Sequence, residues 1–287
     1  MENLSLDKLI ERAEVLIEAM PYVRAHSGTI AVIKYGGAAM VQKELKKAVV
    51  QDLAIMQMGG IKPVVVHGGG KDITALLDKL GAETTFIEGQ RVTDETALDV
   101  AEMVLAGRLN GELVAALNSA GAHAVGISGK GGSLLRAKKK EGPHGFVGEV
   151  DKVDPKLIHI MTDNGYIPVV SPIGLGQDGQ GYNINADVAA LAVARAVGAK
   201  KLVFLSDIPG VLRDPQDEDS LISTIKIDEV ERLITDGTVG GGMIPKLRSA
   251  ASALDVCEKV HILDGRRPHS LLLELFTTHG IGTQIIR

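Results

Sequence analysis

Apolar and polar positions follow two rhythms along this chain. Leu6, Leu9, Ile10, Ala13, Leu16, Ile17 and Met20 recur at helical steps, which predicts a helix with one buried face, capped by Ser5 and stopped by Pro21. That face has two ways to be covered: by its own subunit or by another. After Gly28, short runs rich in β-branched residues alternate with longer helical periods. The runs Thr29 to Lys34, Lys62 to His67, Ala124 to Ser128, Tyr166 to Ser171, Lys201 to Ser206 and Lys259 to Leu263 predict strands buried on both faces. Helical periods lie around 41 to 58, 70 to 80, 94 to 106, 110 to 120, 154 to 164, 185 to 197, 243 to 254 and 269 to 276. Strand and helix repeated in this way predict an α/β fold: a three-layer αβα sandwich with a mainly parallel, open sheet.

Two stretches break the alternation. Leu134 to Val153 reads as an antiparallel hairpin on one edge of the sheet, with Lys138, Lys139 and Lys140 as a solvated rim. Pro209 to Ile227, with Asp214, Pro215, Asp217, Glu218 and Asp219, reads as a polar surface excursion. The softest boundary lies near 165 to 180, which divides the chain into a helix over 1–27, an N-lobe over 28–175 and a C-lobe over 176–287.

Composition narrows the function. A net charge of -5 and a pI near 5.9 exclude the basic field that non-specific nucleic-acid binding needs. Four Tyr, four Phe and no Trp leave little to stack on bases. Asp7, Lys8, Glu11, Arg12, Glu14 and Glu18 interrupt any signal-peptide core, and no apolar run is long enough for a membrane helix. Cys257 is the only cysteine, so neither an internal disulfide nor a thiolate metal set is available, and a reducing cytoplasm fits. A small-molecule partner remains. Glycine is the unusual component, with 34 residues, several of them clustered.

The clusters fall where an open parallel sheet binds ligands, beyond the carboxyl ends of strands. Lys34-Tyr35-Gly36-Gly37 and His67-Gly68-Gly69-Gly70-Lys71 each follow a strand and precede a helix. Without side chains, successive backbone N–H groups can approach an anion closely. Gly240-Gly241-Gly242-Met243-Ile244-Pro245-Lys246 opens another helix and brings Lys246 to its first turns, where a cation opposes the dipole and wants an anionic partner. Asn183-Ile184-Asn185-Ala186-Asp187 supplies a cap and a carboxylate able to hold lysines. Other patterns fail. Gly174 to Gly179 spells G-x-G-x-x-G but reads as a hairpin turn, and neither a P-loop nor a G-x-S-x-G elbow nor H-E-x-x-H occurs.

Taken in order, these segments, with Gly89-Gln90-Arg91-Val92-Thr93-Asp94 and Ser206-Asp207, resemble the amino acid kinase family from residue 29 to 287. Within it they look most like the members that phosphorylate N-acetylglutamate. The resemblance implies ATP, with Mg2+ held mainly by phosphates and water. It places Lys34 and Lys246 on the transferring phosphoryl group and Asp187 between them. Gly36 and Gly37 would donate N–H groups on the nucleotide side, with Asp207 nearby, and Gly69 and Gly70 on the substrate side. Arg91 would grip the substrate's α-carboxylate, and Asn183 would bind beside it. Arginine-inhibited relatives share a helix before the first strand that interlaces dimers into a ring-shaped hexamer. Tyr22, His269, Glu274 and Gly280 match their inhibitor site. A nitrogen-signalling protein is a further partner of such relatives. One departure is Asp255-Val256-Cys257-Glu258, where relatives usually carry a glycine.

The implied chemistry suits the residues. A carboxylate acceptor is ionised at neutral pH and needs no general base, so the lack of a catalytic His or Cys is expected. Two alternatives stay open: another amino acid kinase, acting on carbamate, glutamate or aspartate, and a non-catalytic metabolite-binding regulator on the same fold.

Overall fold

The computed structural model describes residues 5–87, 89–277 and 280–287, with the side chains there except those of Leu9, Glu11, Arg12 and Ala38. From the N-terminus run α1 (Leu6–His26), β1 (Ile30–Tyr35), α2 (Ala38–Val41), α3 (Lys43–Met58), β2 (Lys62–His67) and α4 (Gly70–Lys79). A ribbon of β3 (Phe86–Ile87) and β4 (Gln90–Arg91) leads to α5 (Glu95–Glu102), α6 (Asn110–Ser119), β5 (Ala124–Ser128), β6 (Leu135–Lys139) and β7 (Val147–Val153). Next come α7 (Lys156–Asp163), β8 (Ile167–Ser171), β9 (Ile173–Leu175), β10 (Gly181–Ile184), α8 (Ala186–Ala196) and β11 (Lys201–Ser206). The chain ends with β12 (Thr224–Lys226), α9 (Val230–Thr235), α10 (Met243–Ser252), β13 (Lys259–Asp264), α11 (Ser270–Phe276) and β14 (Thr283–Ile286).

Among the described residues eight strands form one sheet in the order β12-β14-β13-β11-β1-β2-β8-β5. From β13 to β5 every pairing is parallel; β14 runs antiparallel to β13. Because strand side chains alternate, Val32, Val64, Val66 and Phe204 face one layer with α8 and α10, while Ile33, Val65, Val169 and Val203 face the other with α3, α6 and α11. Both faces are covered, as the continuous apolar runs require. β1 lies centrally, with β2 on one side and β11 on the other, which makes its carboxyl end the point where the strand order reverses.

The structure departs from the pattern-based expectations in definite places. Pro21 does not stop α1, which continues to His26; a proline removes one donor and crowds one carbonyl, and the helix runs through it. The apolar stripe of α1 is largely uncovered within the chain. Leu16 and Ile17 are 70% and 69% exposed, and Leu6, Ile10 and Met20 are exposed as well, so packing in cis holds only near the end, where Ala19, Tyr22 and Val23 meet the core. Leu9's side chain lies outside the described residues. The hairpin of β6 and β7 exists, but it does not edge the main sheet: β10, β7, β6 and β9 close into a small barrel of their own. Gly174 to Gly179 is the end of β9 and the turn that joins it to antiparallel β10. The Pro209 to Ile227 segment buries Val211, Ile222 and Ile225 and contributes β12, so only its acidic middle is a surface excursion. The two helical periods after residue 94 are one helix, joined by a π-helical stretch over Met103–Leu109. No described helix is long and apolar enough to cross a membrane.

Candidate active site

Three strand ends and three helix starts meet at the sheet's reversal point. Lys34 comes from the end of β1, Asp187 from the first turn of α8 and Lys246 from the first turns of α10. Asn185 caps α8, its Oδ1 accepting from the N–H groups of Asp187 (2.8 Å) and Val188 (3.3 Å). This fixes where the Asp187 side chain starts, and a carboxylate there also suits the helix dipole. Lys34 Nζ lies 3.0 Å from Asp187 Oδ1, and Lys246 Nζ 2.9 Å from Oδ2. Burial pushes the Asp187 carboxyl up, but the two ammonium groups outweigh it and hold it below the usual carboxylate range. One negative charge against two positive ones leaves a surplus of one positive charge in a largely buried place. A purely structural ion pair would be neutral; this one calls for an anion.

The glycine turns frame the same place. A Cβ on Gly36 would meet Lys34 Nζ, and one on Gly37, whose φ is +71°, would collide with the Asp207 carboxylate. A Cβ on Gly69 would meet Leu109 Cδ1 at 2.5 Å and Leu105 Cδ2 at 2.6 Å. The π-helical stretch supplies both leucines. Gly69, Gly70, Arg91, Asn183, Phe86 and Leu105 line a cavity of about 200 Å3. Arg91 is buried and held by donating to Thr84 Oγ1 (3.3 Å), Gly70 O (2.9 Å) and Thr74 Oγ1 (2.6 Å), with its guanidinium 4.9 Å from the Phe86 ring centre. Asn183 Nδ2 donates to Thr93 Oγ1, which in turn donates to Arg91 O. Thr74, Thr84 and Phe86 were not foreseen, and Thr93 was quoted only within the Gly89 to Asp94 segment, with no role of its own. Of the three, Thr74 left a signal, four residues after Gly70 on the same helix face.

At the start of α10, Met243 and Gly240 border a second cavity of about 200 Å3 with Ile208, Val211, Leu212 and Val239. It is mostly apolar and follows directly on Asp207. Among the described residues no group of three His, Cys, Asp or Glu converges to hold a metal.

A third cavity, of about 700 Å3, lies at the opposite end of β11 and β13 and brings together Tyr22, Glu274 and Gly280 with His26, Lys201 and His261. His269 does not join them. Its Nδ1 faces Asp52 Oδ1 at 2.6 Å, and it occupies the turn before α11 in the left-handed conformation, φ +59°. The histidine that pairs with Glu274 in this cavity is His261 on β13. Burial lowers its pKa and keeps it neutral, with Nδ1 donating to Glu274 Oε1 at 2.8 Å. Burial also raises Glu274, but His261 and the N–H groups of Ile281 and Gly282 outweigh it and hold it low. Burial pushes the Lys201 ammonium down to about 8.

The segment Asp255 to Glu258 needs no glycine. A 3-10 turn over Ala253–Asp255 carries the chain into β13, and Val256 has φ -120°, open to any residue.

Residues 29–264 match the amino acid kinase family. The acetylglutamate kinase of Heliobacterium modesticaldum is 50% identical in an alignment that covers 98% of this chain and 99% of that protein. That of Syntrophomonas wolfei is 49% identical over 280 residues, 96% of this chain and 98% of that protein. Among solved structures, the N-acetylglutamate synthase of Neisseria gonorrhoeae complexed with coenzyme A and N-acetyl-glutamate superposes with a TM-score of 0.85 and 30% identity over 96% of this chain. This chain spans 63% of that synthase's length. The same synthase complexed with coenzyme A and L-arginine gives a TM-score of 0.80 and 27% identity over 96% of this chain and 65% of the synthase. The chain belongs to the amino acid kinase family.

Proposed function

We propose that this chain transfers the γ-phosphoryl group of ATP to the side-chain carboxylate of N-acetyl-L-glutamate, giving N-acetylglutamyl 5-phosphate and ADP in arginine biosynthesis. The observation that carries this reading is the positively charged cluster of Lys34, Asp187 and Lys246, with glycine turns beside it and two cavities bordered by its chain neighbours, Asn185 and Ala186 in one and Met243 in the other. The carboxylate oxygen attacks phosphorus, the bond to the bridging oxygen breaks, and the electron pair leaves with ADP. No proton has to move, so the protein's work is to bring two anions together and spread the charge that grows between them. Lys34 and Lys246 do the latter, and Asp187 keeps both in place while remaining ionised.

Acetylglutamate occupies the cavity beside Gly69 and Gly70, its α-carboxylate on Arg91 and its nearby polar atoms on Asn183. The adenine end of ATP occupies the apolar cavity beyond Asp207, with Gly36 and Gly37 donating to phosphates. Residues 28–175 thus act as the substrate and dimer lobe and 176–287 as the nucleotide lobe. Magnesium would come as a companion of the nucleotide, held mainly by phosphates and water, and would neutralise phosphate charge.

The third cavity serves feedback inhibition by L-arginine. Glu274 is a carboxylate partner for a guanidinium, and His261 Nε2, buried and without a partner among the described residues, is left as an acceptor. The exposed face of α1 serves assembly, joining dimers into a hexamer. A nitrogen-signalling protein would bind the assembled form.

Trapping the acyl phosphate as a hydroxamate tests the reading. N-acetylglutamate should turn over, and glutamate should lag by about 10^3-fold because its ammonium would be buried where an acetamide is expected. Equal rates with glutamate, or no hydroxamate from either, overturn it.

A further inference from the structure

His67, the last residue of β2, is fully buried and takes no part in the chemistry above. Its Nδ1 lies 2.9 Å from Gly68 O and its Nε2 3.2 Å from Asn110 Nδ2. Asn110 opens α6 directly after the π-helical stretch, and its Nδ2 also reaches Val169 O at 2.9 Å, in the neighbouring strand β8. Its Oδ1 lies over Gly126, where a Cβ would leave it no room.

These partners determine the protons. Val169 O and Gly68 O can only accept. The Asn110 nitrogen must therefore face Val169, and its second hydrogen points at His67 Nε2, which has to be the acceptor. The ring proton is then on Nδ1, donated to Gly68 O. Burial, which lowers the pKa of this imidazole, agrees with a neutral ring. In the trans Gly68–Gly69 peptide the N–H points opposite the C=O. Fixing the Gly68 carbonyl toward His67 thus turns the Gly69 N–H away from it, and Gly68 and Gly69 line the substrate cavity.

We propose that His67 and Asn110 form a positioning pair: a neutral, Nδ1-protonated imidazole, oriented by the Asn110 amide, locks the Gly68–Gly69 peptide so that the Gly69 N–H stays aimed at the anion transferred or attacked in the cavity. This rests on the kinase reading and adds to it why a histidine precedes the glycines. It also explains the π-helical stretch, whose extra turn width brings Leu105 and Leu109 under Gly69 and sets Asn110 against His67.

Two measurements decide it on the full-length enzyme. In 15N spectra of histidine-labelled protein, with the His67 signals identified by their loss in His67→Asn, the ring should be neutral and Nδ1-protonated from about pH 6 to about pH 8. An Nε2-protonated ring or an imidazolium overturns the proposal. In hydroxamate kinetics, His67→Asn keeps a donor near the Nδ1 position and should hold kcat within about threefold. His67→Gln, whose amide reaches the Nε2 position, and His67→Leu should each lose about 10- to 100-fold in kcat, with KM for ATP within about threefold. Equal rates for the Asn and Gln variants, or a fully active Leu variant, overturn it. Should the Leu variant not fold, the Asn and Gln pair and the spectrum suffice. A wild type that phosphorylates nothing defeats the kinase reading, whereas an active wild type with the other tautomer defeats this proposal alone.

Discussion

The side chains that matter most are the ones whose cost only a ligand or a partner can offset. Lys34 and Lys246 are 14% and 17% exposed, and one carboxylate between them leaves their surplus charge unbalanced. They were legible because a lysine at the end of an apolar strand, or at a glycine-opened helix start, contradicts its surroundings. His261 was not legible. Within Lys259–Asp264 it reads as one more position of a buried strand, and it was His269 that the resemblance matched to the inhibitor site of arginine-inhibited relatives. Gly69 gives a residue-scale test. Gly69→Ala puts a methyl group against Leu105 and Leu109, which should cost about 1–3 kcal/mol in chemical denaturation and displace the backbone enough to lower kcat/KM for N-acetylglutamate. Wild-type stability and kinetics in that variant would show that the approach there is not needed.

At the scale of elements, long periodic segments were readable and junctions were not. α3, α4, α7 and α8 and the central strands follow from periodicity, because burial on one or both faces leaves its mark at every step. The small barrel, β14 and the π-helical join depend on long-range pairing and packing that local pattern does not encode. One contact between elements predicts a pH effect. Asp52 on α3 is fully buried facing His269, ahead of α11; burial pushes its pKa up to about 6, with His269 offsetting part of the rise. A folded pKa above the unfolded one means that the folded state holds the proton more tightly. The stability from this group is complete below about pH 4 and is lost as pH rises through about 6. Asp52→Asn should therefore be more stable than wild type by about 1–2 kcal/mol above that range and gain little near pH 4. Denaturant midpoints across pH check this, and parallel curves for the two proteins would contradict it.

In the whole molecule, both proposed controls sit at its margins, since α1 and the third cavity lie away from the lysines. The stripe on α1 was read from the sequence as a buried face, and the structure leaves most of it uncovered among the described residues. Replacing Leu16 and Ile17 together by Glu should lower the mass seen by light scattering and weaken inhibition by arginine while leaving kcat for N-acetylglutamate within about twofold. An unchanged mass would remove α1 from assembly. In the proposed two-lobe division each lobe gives one lysine to the proposed reaction centre, Lys34 from β1 and Lys246 from α10, and the two meet at Asp187. The most direct test is steady-state kinetics of Lys246→Ala. A phosphoryl clamp requires kcat to fall by about 10^2- to 10^3-fold with both KM values changed by no more than about threefold. A kcat near that of wild type, or a loss confined to KM, would mean that Lys246 does not touch the group in transit.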